Sequence, residues 1–181
     1  IKQNTNCFIG ILEKEAEDEL IKICEIKHSK PFLLKKYIAF YKNICNINKK
    51  NFNFTIYNPV LKGIHQYHNL ALAIITVIET FGIVKSSILQ KGIMNVLKNS
   101  RLQGRYEVIN SNPLVILEAA HNTESINAFV EIFINERLKI NKAHLIFGVM
   151  KDKNITEMLL KIKPLFDNFN FVDIKYERAE K

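Results

Sequence analysis

Glycine and cysteine are scarce in this chain, and no long apolar run interrupts it. The six glycines, at positions 10, 63, 82, 92, 104 and 148, are too dispersed to form G-x-x-x-x-G-K-[ST], so its 181 residues contain no loop of that kind to cradle nucleotide phosphates. Cys7, Cys24 and Cys45 are widely spaced and form no C-x-x-C pair. That excludes a disulfide framework or a thiolate zinc site and is expected of reduced thiols in a cytoplasmic protein. No apolar run reaches the ~18 to 20 residues of a membrane span. The longest, Leu70 to Ile78, is too short and carries Thr76, so no membrane partner is expected. No signal peptide stands at the start, and Ile1 in place of Met is expected of a fragment or processed product. His65 and His68 have an i,i+3 spacing capable of chelation, but a helix start accounts for them more simply, and no metal site is expected. No internal repeat or low-complexity tract is present.

What is present is a core-forming composition, 48% hydrophobic and 24% charged, of a length that suits one or two domains. The net charge is +8, and Lys35-Lys36 and Lys49-Lys50 are candidate phosphate contacts. The lysines are scattered, however, with no basic run of five, and Asn, Lys and Ile are abundant throughout. The charge is read as compositional bias, with no nucleic-acid partner expected.

Residues 7 to 11 read as a strand and Lys14 to Ile26 as a helix with Glu15, Glu17, Asp18 and Glu19 in its first turns, where the helix dipole favours acids. Phe32 to Tyr57 mixes aromatic and β-branched residues with Asn-Lys clusters, as in antiparallel hairpins, and Phe52, Phe54 and Ile56 alternate as a half-buried strand does. Tyr67 to Phe81 reads as a largely buried helix stopped by Gly82, and Ser86-Ser87 as the cap of another through Leu97. A domain boundary is placed near residue 100, separating 1–100 from 101–181. Beyond it come strands at Tyr106 to Ile109 and Leu114 to Leu117, a helix at Glu124 to Arg137, a strand at His144 to Val149, a helix at Ile155 to Ile162 and a strand at Phe169 to Ile174. Such β-α-β-α-β order predicts an α/β fold with a parallel sheet.

The most informative stretch is Val115-Ile116-Leu117-Glu118-Ala119-Ala120-His121-Asn122, an apolar run that ends in an acid, a histidine and an amide. A short β-branched run reads as a strand covered on both faces, and ligands of open α/β sheets sit beyond the carboxyl ends of such strands. Upstream, Gly104 permits close backbone approach and the Arg105 guanidinium can fork onto a phosphate or carboxylate.

Four segments in order carry a family resemblance. Gly63, His65, Gln66, Asn69 and Ala73 match G-x-H-Q-x-x-N-x-x-x-A; Gly104, Arg105, Glu107 and Val108 match P-G-R-x-E-hydrophobic; Glu118 to Thr123 align with D-G-A-H-N-P; and Phe147, Gly148, Met150, Asp152, Lys153 and Asn154 align with F-G-x-M-x-D-K-D. The chain thus resembles folylpolyglutamate synthase and dihydrofolate synthase, ATP-dependent amide ligases of the Mur type. The resemblance implies the C-terminal part of a Mur-ligase central ATPase domain followed by the start of a Rossmann-like C-terminal domain. It also implies a cytoplasmic monomer that joins L-glutamate to dihydropteroate or a reduced folate, through an acyl phosphate made from ATP. By the family pattern Asn69, Arg105 and Glu118 contact the nucleotide, Arg105 at its phosphates, and His121 lies at the catalytic centre near the incoming glutamate.

Gln103 stands for the family's first proline, Glu118 for its aspartate, Thr123 for its second proline and Asn154 for an acid. Glu118 carries its carboxylate one methylene farther, on the order of 1.5 Å. The family's phosphate loop, Mg2+ ligands and pterin pocket belong upstream of Ile1, so the chain alone is expected to be inactive. Two further readings remain: a non-catalytic remnant of such a ligase, and another Mur-type ligase.

Overall fold

The computed structural model describes residues 1–82 and 84–173. The chain divides into two compact units, one of Ile1–Val60 with Ile64–Arg101, the other of Leu61–Gly63 with the chain from Leu102 onward.

The first unit opens with β1 (Asn6–Ile9), α1 (Lys14–Ile26) and β2 (Lys30–Leu33), and the two strands pair in parallel, Asn6 opposite Lys30 and Ile9 opposite Leu33. Helix α1 carries Glu15 and Glu17 in its first turn and buries Cys24 against Ile9 and Leu33. Buried Glu17 is held by the Lys35 ammonium. An antiparallel meander follows, β3 (Ile38–Tyr41), β4 (Ile44–Lys49) and β5 (Phe52–Tyr57). Phe52, Phe54 and Ile56 are buried while Asn53, Thr55 and Tyr57 face out, as the period of two predicts. Helix α2 (Ile64–Phe81) lays Tyr67, Ala71, Ile74, Ile75 and Ile78 on that face at i,i+3/i+4 spacing. Each fully buried aliphatic side chain of this core, such as Ile47, Ile56 and Ile75, contributes about 1.5–3 kcal/mol. Helix α2 ends at Gly82, whose φ of +83° is the left-handed stop expected of it.

Helix α3 (Ser86–Met94) and the short α4 (Val96–Ser100) complete the unit. Two expectations are corrected here. The helix predicted to run through Leu97 is broken at Asn95, and its N-cap is Lys85, with no side-chain cap from the serines. Phe32 and Leu33, read as the start of the antiparallel segment, instead belong to Lys30–Leu33, which closes a parallel βαβ unit because α1 carries the chain back beside β1.

The second unit holds β6 (Glu107–Ser111), β7 (Leu114–Leu117), α5 (Thr123–Arg137), β8 (His144–Phe147), α6 (Ile155–Ile162) and β9 (Asn168–Phe171). Strands β8 and β9 pair in parallel across α6, as the strand-helix order predicts. Strands β6 and β7 do not; they form an antiparallel hairpin with a bulge between Val108 and Asn110. The Val115-Ile116-Leu117 run is not covered on both faces, since Val115 and Leu117 are 39% and 46% exposed. Ile174, placed in the last predicted strand, lies outside the described residues. Met158 and Ile162 of α6 pack with Ile126, Phe129 and Phe133 of α5 and with Phe147. The end of α5 is tied to the segments leading into both parallel strands through Arg137: its Nε donates to Leu165 O at 2.9 Å, its Nη1 to Ile140 O at 2.8 Å and its Nη2 to Asp167 Oδ2 at 3.1 Å. Asp167 Oδ2 also accepts the Ala143 N–H at 2.7 Å, just ahead of β8.

Candidate functional site

Strand β7 delivers Glu118 to the end of the hairpin, where its Oε2 accepts the backbone N–H of Tyr106 at 2.9 Å. One turn of chain earlier, Gly104 is bound at both ends. Its N–H donates to Glu107 Oε2 at 2.9 Å, and its carbonyl accepts the Ala119 N–H at 2.9 Å. Gly104 has φ +65°, and a Cβ there would meet the Ala119 methyl at 2.9 Å, so both the turn and the close approach require glycine. Arg105, exposed between these anchors, makes no ion pair with any described residue.

Downstream of Glu118 the chain turns into α5. Asn122 is the N-cap: its Oδ1 accepts the Ser125 N–H at 2.8 Å, while the Ser125 hydroxyl accepts the N–H groups of His121 and Asn122 at 3.0 and 3.1 Å and donates to Asn122 O at 2.9 Å. This capping box fixes the His121–Asn122 turn and leaves Thr123 as the first helical residue, the position at which proline is favoured. The helix cap is supplied by Asn122. The exposed His121 ring has Nδ1 3.0 Å from Ala119 O. A carbonyl can only accept, so the neutral ring protonated at Nδ1 leaves Nε2 as an acceptor. Arg105, Glu118 and His121 are thus brought together at one end of the β6–β7 hairpin, beside the start of α5.

Asn69 belongs to the other unit, exposed on the first turns of α2. The residues around it are built into that unit. Buried Gln66 lies with its Nε2 3.0 Å from His65 Nε2, the Tyr67 hydroxyl donates to Asn43 O at 2.8 Å, and the His68 ring stands edge-on to Phe40 at 5.1 Å. Desolvation holds the His68 pKa below the usual imidazole range, with neighbouring His65 acting in the same direction. Near the end of β8, Asp152 pairs with Lys153 at 3.1 Å, and Asn154 caps α6, accepting the Glu157 N–H at 3.3 Å. An asparagine in place of an acid retains the capping function there, since both rank among the best caps. Among the described residues no group of three His, Cys, Asp or Glu side chains is arranged to hold a metal ion.

Reading the sequence singled out neither Tyr106 nor Ser125. Tyr106 is 5% exposed, has φ +50°, packs its ring against Phe129 and lies under the Lys62 ammonium, which is 5.0 Å from the ring centroid. Burial pushes its phenol up to about 12, helped by the Glu136 and Glu118 carboxylates. The Asn-x-x-Ser spacing of 122 and 125 was the available signal for the capping box; nothing in residue type announced Tyr106.

No family model matches the chain. The dihydrofolate synthase/folylpolyglutamate synthase of Bacillus subtilis (strain 168) is 25% identical over 123 residues, 66% of this chain and 27% of that protein. The protein of the same name from Buchnera aphidicola subsp. Schizaphis graminum is 24% identical over 163 residues, 88% of this chain and 38% of its own length. That of Mycobacterium tuberculosis is 30% identical over 121 residues, 62% of this chain and 23% of its length. Among solved structures, Mycobacterium tuberculosis folylpolyglutamate synthase complexed with ADP superposes with a TM-score of 0.84 at 21% identity, over 97% of this chain and 40% of that one. E. coli FolC in complex with DHPP and ADP gives 0.80 at 17% identity, over 99% and 42%. The chain is therefore similar in sequence to folylpolyglutamate and dihydrofolate synthases and has the α/β fold of the matching part of their solved structures. It spans well under half the length of each of these relatives.

Proposed function

We propose that this chain carries the nucleotide-closing half of an ATP-dependent amide ligase that adds L-glutamate to dihydropteroate or to reduced folates. The observation that carries the reading is the joint placement of Arg105, Glu118 and His121 at one hairpin end, on segments whose motifs resemble those of the synthases. In the reaction the γ-phosphoryl group of ATP passes to a substrate carboxylate oxygen, giving an acyl phosphate and ADP. The glutamate amine then attacks the acyl carbon, phosphate leaves, the nitrogen loses a proton, and an amide remains.

Phosphoryl transfer is served by positioning and electrostatic stabilisation more than by covalent help from the protein. Arg105, exposed and without an ion-pair partner among the described residues, offers its guanidinium to the phosphates. Glu118 spends one carboxylate oxygen on the Tyr106 N–H and keeps the other for a nucleotide hydroxyl. Asn69 is a further candidate for nucleotide contact on the strength of its place in the G-x-H-Q-x-x-N segment. His121, in the tautomer that donates from Nδ1 to Ala119 O, offers Nε2 as an acceptor to the incoming amine. Mg2+ would accompany the nucleotide, and no cluster among the described residues fits the ion. Folate or dihydropteroate, L-glutamate and ATP are the partners this reading implies, with the protein a cytoplasmic monomer.

The test is titration of the isotope-labelled 181-residue chain with ADP, followed by amide NMR. Shifts concentrated at Arg105, Glu118 and His121 support the reading, and millimolar ADP that moves none of them overturns it. The same chain, incubated with ATP, glutamate and dihydropteroate, is expected to form no product.

A further inference from the structure

We propose that Tyr106 is a positioning residue for Arg105, its buried ring acting as the weight that holds the arginine's backbone in one conformation. The left-handed region costs an ordinary L-residue roughly 1–2 kcal/mol, and a bulky aromatic is among the rarest occupants of it. Tyr106 nonetheless sits there at φ +50°, one residue after Arg105 and two after Gly104, itself left-handed at φ +65°. Such a conformation persists only where the surroundings over-determine it.

Three contacts do so. The Tyr106 N–H is held by Glu118 Oε2 at 2.9 Å, the ring packs on Phe129 with centroids 6.0 Å apart, and the Lys62 ammonium lies 5.0 Å from the ring centroid. Gly104 is fixed on the other side by Ala119 and Glu107. Arg105 is thus bracketed by two left-handed residues, each hydrogen-bonded to the 118–119 turn, with its own side chain left in solvent. The Tyr106 hydroxyl, buried, has no hydrogen-bond partner among the described residues, so the ring and not the hydroxyl does the holding. Pre-organisation of this kind spares a ligand the entropy of ordering the loop. Its benefit to phosphate binding rests on the ligase reading; the ordering of Arg105 does not.

Backbone relaxation and hydrogen exchange on the labelled 181-residue chain separate the two. In the parent and in Tyr106→Phe, the Arg105 amide should show an order parameter near ~0.85 and the Tyr106 amide should be protected. In Tyr106→Ala the Arg105 value should fall below ~0.6, protection of the amide at position 106 should drop by on the order of tenfold or more, and ADP affinity should weaken roughly tenfold. Should Tyr106→Ala fail to fold, Tyr106→Leu, which keeps apolar volume but loses the flat ring, should show the same loss of order at Arg105. An Arg105 as ordered in the folded alanine or leucine variant as in the parent would overturn the proposal. So would a Tyr106→Phe variant that loses order as Tyr106→Ala does. A parent chain that ignores ADP would sink the ligase reading while leaving the order comparison decisive.

Discussion

Gly104 and Ala119 touch through both backbone and methyl: the Ala119 N–H donates to Gly104 O at 2.9 Å, and a Cβ on Gly104 would come within 2.9 Å of the Ala119 methyl. Gly104→Ala must therefore adopt φ +65° with a side chain and displace backbone that is itself hydrogen-bonded. A loss of about 2–4 kcal/mol is expected in chemical denaturation, from left-handed strain plus overpacking. Gly92→Ala is the control, since nothing lies within 4 Å of its Cβ and it sits inside α3; it should stabilise by about 1 kcal/mol. Equal effects at the two glycines would refute the packing account.

The capping box makes Asn122 more consequential than an exposed amide suggests. Asn122→Ala should destabilise the second unit by about 1 kcal/mol. Thr123→Pro, which places proline at the first helical position, should be neutral or slightly stabilising. Thermal melts of the two variants check the pair, and a proline variant that unfolds as readily as the alanine one would show that the helix start has been misassigned.

Much of the fold is written in side-chain periodicity. Tyr67, Ala71, Ile74, Ile75 and Ile78 announce α2, and Phe52, Phe54 and Ile56 announce β5, because burial on one face leaves a mark in residue type. Pairing partners leave a weaker mark. Nothing in Lys30–Leu33 distinguishes a strand parallel to β1 from the first strand of a meander, and Val115-Ile116-Leu117 reads equally as a buried strand or as half of an exposed hairpin. The same division runs through the site. Arg105, Glu118 and His121 were legible because polar groups at a strand end are chemically conspicuous. Tyr106 and Ser125 were not, since one acts through a left-handed backbone and the other through hydrogen bonds to main-chain groups.

Alkaline pH should weaken the first unit. Burial pushes the Cys45 thiol up to about 11 from an ordinary 9.0, and burial also raises Cys24, whose S–H is held further by a hydrogen bond to Cys7. Above about pH 9 the unfolded chain releases thiol protons that the native chain retains, so stability falls as pH rises and flattens beyond the native pKa. Below that window the thiols contribute no slope. Denaturation free energies between about pH 8 and 11 should decline, and Cys45→Ala should flatten part of the decline. A slope unchanged by the substitution would assign it to other groups.

Removal of the Arg105 guanidinium should leave the fold alone and the ligand affected. With no ion-pair partner among the described residues and an exposed side chain, Arg105→Ala should keep the parent melting temperature. One charge-assisted contact to phosphate contributes about 1.5–3 kcal/mol, so ADP affinity should fall about tenfold to a hundredfold. Unchanged affinity in the folded variant would return Arg105 to the status of a solvated surface charge.

Limited trypsin digestion should cut first at Arg101. Arg101 is exposed at φ +53°, it follows a five-residue helix that buries none of its side chains, and Leu102 and Gln103 continue as exposed chain outside any helix or strand. A protease needs several residues drawn out in extended form, and here no strand ladder opposes that. The nearest rival is Lys42, also exposed and left-handed, but it sits in the tight turn between β3 and β4, whose paired residues Tyr41 and Ile44 would have to separate before the site fits. Mass spectrometry of the first products decides between them. Complementary fragments ending and beginning at 101/102 support a connection that opens independently of both cores, whereas an initial cut at Lys42 would show that the meander is the less stable element.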